Sequence, residues 1–125
     1  MTETRAPAEH YGLRGVVLLW FPLVAPIAAW AVHIVFIASI ARFTCTRPSS
    51  TWTIHAVTAA TLVVCAVAMA LAWRLTRVAT TEDADDVAGR HLFLGRLALL
   101  VGAANVVVIL LEELYAIGFH PVRCA

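Results

Sequence analysis

The 125-residue sequence contains no lysine. Its nine basic residues are all Arg, set against eight Asp and Glu, so the net charge is +1 and there is no basic face for nucleic acid. Charged residues make up only 14% of the chain. Motifs with a mechanism attached are also missing. There is no phosphate-cradling Gly-rich loop ending in Lys, no G-x-S-x-G elbow, no H-E-x-x-H and no C-x-x-C-H. These absences exclude the P-loop, hydrolase-elbow, zincin and c-type haem-attachment chemistries. The sequence therefore predicts no catalytic residues and no enzyme activity of its own. With no repeat and no linker, there is room for one small domain.

What the chain has is apolar surface. It is 62% apolar, where a soluble domain of this size has about 45–50%. The apolar residues fall into three runs, 15–41, 52–73 and 97–119, and each reaches the roughly 20 residues needed to cross a bilayer core. The expectation is an all-α integral membrane protein with three transmembrane helices in an up-down-up bundle. Residues 1–14 would be a polar tail and 15–125 a single transmembrane domain, with the lipid bilayer as its first partner. The first run is too long for a signal-peptide core and no small-x-small site follows it, so it reads as a retained signal anchor.

The segments between the runs are 42–51 and 74–90. The second carries Glu82, Asp83, Asp85 and Asp86, which read as a solvated block. Trp52 and Trp73 bracket the second run, as interfacial aromatics do. Arg5, Arg14, Arg74, Arg77, Arg90 and Arg96 fall on one side of the membrane, and Arg42, Arg47 and Arg123 on the other. By the positive-inside rule the N-terminus is expected in the cytoplasm and the C-terminus outside.

Two sets of residues could carry chemistry. Cys45 and Cys124 fall on the outward side, where an oxidising compartment favours a disulfide between them. Unpaired thiols and a metal-binding pair are the alternatives. Cys65, mid-run, reads as a small packing residue. The second set is the intramembrane polar residues His33, His55, Asn105, Glu112 and Glu113. Counted from the outward ends at 1.5 Å per residue, His33, His55 and Glu112 lie roughly 13, 6 and 10 Å deep, one on each run.

Helical spacing sorts these residues into stripes. Gly95, Ala98, Gly102, Asn105, Ile109, Glu112 and Ala116 share one stripe, and Pro22, Pro26, Ala29 and His33 share another. His55 is placed with Ala59, Leu62, Ala66 and Met69, while Glu113 is displaced from Glu112 by about 100°. If His33, His55 and Glu112 converge, three readings follow. One is a hydrogen-bonded structural cluster. Another is a haem, copper or other metal site using those three side chains. The third is a proton-relay or quinone-contacting element, including a homo-oligomer that conducts protons past Glu112.

One further pattern is visible. Pro22, Pro26, Trp30 and His33, then Cys45, then the tail Pro121-Val-Arg-Cys124 resemble small three-span membrane proteins encoded near bacterial haem-copper terminal oxidase genes. Those proteins often carry Tyr after the His, where this chain has Phe36 and Ile37. The resemblance implies a bacterial cytoplasmic-membrane protein. It also implies an accessory or assembly role beside a cytochrome c oxidase, with larger membrane subunits as partners; the residues themselves leave the cofactor open between none and haem or copper. The resemblance supplies no catalytic residues.

Overall fold

Among the described residues the computed structural model has three helices: α1 (Leu13–Ile40), α2 (Ser50–Ala79) and α3 (Asp86–Arg123). The structure describes residues 13–40, 50–79 and 86–123, with side chains described for 15–40, 52–78 and 89–118. Among the described residues there is no strand. The stretches long and apolar enough to cross a membrane are Gly15–Ile40, Trp52–Val78 and Gly89–Gly118. α3, at 38 residues, is about 57 Å long at 1.5 Å per residue. That exceeds the roughly 30 Å hydrocarbon core, so its ends project beyond it.

Three helix boundaries extend well past the sequence reading. α2 continues from Trp73 to Ala79, and α3 begins at Asp86, well before Leu97. Residues 74–90, read as a loop, are thus largely helical at both ends. The apolar runs end at Arg74 and Arg96 because a charge ends a hydrophobic span. It does not end a helix: Arg and Leu are both good helix formers. The cation also has a local partner, since the Arg77 guanidinium lies 5.3 Å over the Trp73 ring. At the other end, α3 carries through Pro121 to Arg123, so residues 120–123 are helical as well.

Packing pairs fix the topology. Gly95 faces Thr76 and Gly102 faces Met69, and Glu113 meets Thr58. A step of seven residues up α3 matches seven down α2, and the next step of eleven matches eleven. α2 and α3 are therefore antiparallel in constant register. His33, late in α1, meets Thr58, early in α2, and Glu112, late in α3. α1 is thus antiparallel to α2 and parallel to α3, which is the up-down-up arrangement.

The core between these helices is narrow. α2 buries Ile54, Thr58, Thr61, Cys65, Ala68 and Ala72, a three-four stripe that winds with the coil. α3 buries Gly95, Ala98, Gly102 and Ile109. α1, one continuous helix, buries Pro22, Pro26 and His33. Most of these are small, so the backbones approach closely. A Cβ at Gly95 would stand 2.6 Å from Thr76 Cγ2, and one at Gly102 would stand 2.7 Å from Met69 Cγ. In lipid such close packing substitutes for the absent hydrophobic drive between helices. The large apolar side chains point the other way: Val17, Val32, Val35, Leu100, Leu111 and Leu114 are exposed, as suits a bilayer.

Candidate functional site

The polar side chains gather at one end of the bundle, where α1 and α3 finish and α2 begins. From α1, Trp30 Nε1–H donates to Glu112 Oε1 at 3.3 Å. One turn on, the buried His33 places Nδ1 3.2 Å from Glu112 Oε2 and Nε2 3.0 Å from Thr58 Oγ1. From α2, Thr58 Oγ1 donates to Glu113 Oε2 at 2.7 Å and also lies 3.0 Å from the Ile54 carbonyl. His55 Nδ1 contacts Glu113 Oε1. The Trp52 ring stands edge-on to His55, with centroids 6.4 Å apart.

These contacts form one connected network: Trp30, Glu112, His33, Thr58, Glu113 and His55. It touches all three helices. Both oxygens of each carboxylate are engaged, which is how carboxylates are tolerated away from water. Burial is graded along it. The side chains of His33, Glu113, Glu112 and His55 are 0%, 14%, 32% and 41% exposed. The centre is therefore buried, and exposure rises toward Glu112 at one end and His55 at the other.

The structure brings His33 and Glu112 together. His55 is drawn into the same network through Glu113, the residue that the stripes had set aside. The two adjacent glutamates split their partners, Glu112 toward α1 and Glu113 toward α2, because a 100° step on α3 turns each toward a different neighbour. Asn105 stays out of the network and donates to the Val101 carbonyl of its own helix at 2.8 Å. Cys65 is fully buried and unpaired. Cys45 and Cys124, expected to pair, lie outside the described residues.

The sequence reading missed Thr58, and it named Trp30 in the resemblance but not among the polar site residues. Both were legible in principle. Trp30 is one turn before His33 on the same face, and Thr58 lies on the stripe Ile54, Thr58, Thr61, Cys65 that α2 actually buries. The stripe through His55, Ala59 and Ala66 was preferred instead, and Ala59 and Ala66 are exposed.

Among the described residues no three His, Cys, Asp or Glu side chains are grouped to hold a metal ion. His33 meets Glu112, whereas His55 contacts Glu113. Away from the network, an open groove of about 720 Å³ runs between α1 and α2, lined by Trp20, Phe21, Val24, Val32, Val57 and Val64 among others. Thr61 also borders it, but its hydroxyl donates back to the Val57 and Thr58 carbonyls, leaving the groove apolar. Comparison with protein-family models, curated proteins and solved structures returns no match to this chain.

Proposed function

We propose that this protein is a non-catalytic accessory subunit or assembly factor of a bacterial respiratory membrane complex, with a cytochrome c oxidase as the first candidate. The observation that carries the reading is the division of the molecule. The intramembrane acids and imidazoles close on one another, while the outer faces, including the α1–α2 groove, are apolar and suited to other helices. Three helices of this size bury little on their own; docking on larger subunits gives such faces a use. The oxidase assignment rests on the sequence resemblance through Pro22, Pro26, Trp30, His33, Cys45 and Cys124.

In this reading the protein sits in the cytoplasmic membrane with its N-terminus inside, following the arginine asymmetry. The polar network then faces the outward half of the bilayer. A Cys45–Cys124 link would tie the first loop to the C-terminal tail on that side. The test is purification of tagged protein from its native membrane in mild detergent, followed by mass spectrometry. Stoichiometric respiratory subunits support the reading. A protein that emerges alone, or only with copies of itself, refutes it.

A further inference from the structure

From Glu112 to Glu113 the contacts run in series through His33 and Thr58, each able to serve as donor or acceptor. His33 has an oxygen against each of its ring nitrogens. Thr58 Oγ1 lies between His33 Nε2 and Glu113 Oε2, at 3.0 and 2.7 Å. A neutral imidazole has one donor and one acceptor nitrogen, and a hydroxyl has one proton and two lone pairs. Each interior group can therefore accept on one side while it donates on the other.

We propose that Glu112, His33, Thr58 and Glu113 form a proton relay across the bundle, loaded from water at the His55 end. In one arrangement Glu112 is the acid and donates to His33 Nδ1. His33 Nε2–H then donates to Thr58 Oγ1, and the Thr58 hydroxyl donates to an ionised Glu113. In the other arrangement each of the three protons has moved across its own hydrogen bond. The Glu112 proton is on Nδ1, the Nε2 proton is on Oγ1, and the Oγ1 proton is on Glu113 Oε2. The proton count is unchanged, and one negative charge has moved from Glu113 to Glu112.

Loading also balances. With Glu112 ionised, a hydronium ion protonates His55 Nε2, and the resulting imidazolium passes its Nδ1 proton to Glu113 Oε1, leaving His55 neutral and water released; rotation of the Glu113 carboxyl then turns the protonated oxygen toward Thr58 Oγ1. When both His33 Nε2 and Glu113 direct protons at Thr58, its own hydroxyl turns to the Ile54 carbonyl, 3.0 Å away. The titratable groups facing this path are His33 from α1, His55 from α2, and Glu112 and Glu113 from α3. Tyr115 lies beside them on α3, half-exposed. The arginines with described side chains, Arg74, Arg77, Arg90 and Arg96, belong to the other end of the bundle. The relay runs between bundle faces rather than from one side of the membrane to the other, and it delivers its proton to Glu112, beneath the Trp30 N–H.

The inference goes beyond the accessory reading and does not rest on it, because its test uses the full chain alone in liposomes. Infrared difference spectra are recorded after a drop in external pH. In the wild type and in Thr58→Ser, a deuterium-sensitive carboxylic-acid band should appear that Glu112→Gln lacks. In Thr58→Val the Glu112 band should rise on the order of 100-fold more slowly, the lower range for loss of a positioned proton-transfer group. A Thr58→Val band at the wild-type rate, or a Glu112 that never protonates, overturns the proposal. A second measurement, the nitrogen NMR of His33 in the unaltered protein, guards against a variant that misfolds. The proposal requires the His33 proton distribution to change with external pH, and a single fixed tautomer refutes it.

Discussion

His33 on α1 and Thr58 on α2 face each other at 3.0 Å, and both are buried. Each has a carboxylate from α3 on its far side. The two residues are the junction at which three helices meet through polar atoms, in a core otherwise mostly apolar.

Removal of His33 should therefore cost more than its own hydrogen bonds. His33→Leu strands Glu112 with only the Trp30 N–H, and an orphaned polar group costs about 1–3 kcal/mol. The double variant His33→Leu/Glu112→Leu removes both partners and should recover much of that loss. Reversible unfolding in detergent measures the difference. Equal destabilisation by the single and double variants would show that the pairing contributes nothing.

Thr58 and Thr61 offer a matched comparison. Thr58 connects α1, α2 and α3, whereas the Thr61 hydroxyl bonds only to carbonyls of its own helix. Thr58→Val should destabilise by about 1 kcal/mol, in the range of interhelical polar contacts in membranes. Thr61→Val should stay within about 0.5 kcal/mol of wild type. The same unfolding measurement decides, and the prediction fails if the two variants behave alike.

The two close-approach glycines should respond differently to alanine. A methyl group at Gly95 meets Thr76 Cγ2 at 2.6 Å and the backbone oxygen of Ala72 at 3.2 Å. Overpacking of this kind costs about 1–3 kcal/mol, which outweighs the gain of up to about 1 kcal/mol in helix propensity. At Gly102 the obstacle is Met69, a flexible side chain that can re-pack, so Gly102→Ala should be near neutral. Thermal stability of the two variants in detergent tests the order.

Much of this was readable in the sequence, for a physical reason. A bilayer imposes long apolar helices, so the three spans followed from length and composition alone. The stripes of α1 and α3 followed as well, because Pro22, Pro26 and His33, and Gly95, Ala98, Gly102 and Ile109, are marked by unusual or small residues. α2 is uniformly rich in Ala, Thr and Val, so its buried face has little contrast, and the stripe was placed through His55 instead of Thr58. The partner choice of the adjacent glutamates depends on how α3 is rotated between its two neighbours, and no local spacing encodes that. Helix ends beyond the membrane were also missed, since apolar content marks the span and not the helix.

Cys65 provides a check on the packing itself. It is fully buried on the α2 stripe. In a variant with Cys45 and Cys124 replaced by Ser, a membrane-permeant maleimide should leave Cys65 unmodified in the folded protein and label it after denaturation. Rapid labelling of the native bundle would mean that α2 presents a different face.

The accessory reading is tested most directly by co-purification of the wild type and a groove-filled variant. Ala28→Trp places a large side chain in the α1–α2 groove, at an exposed position outside the polar network. From native membranes the wild type should bring down respiratory-complex subunits in stoichiometric amount. The variant, still folded by helical circular dichroism, should lose them. A wild-type protein that purifies without any such subunit would contradict the account.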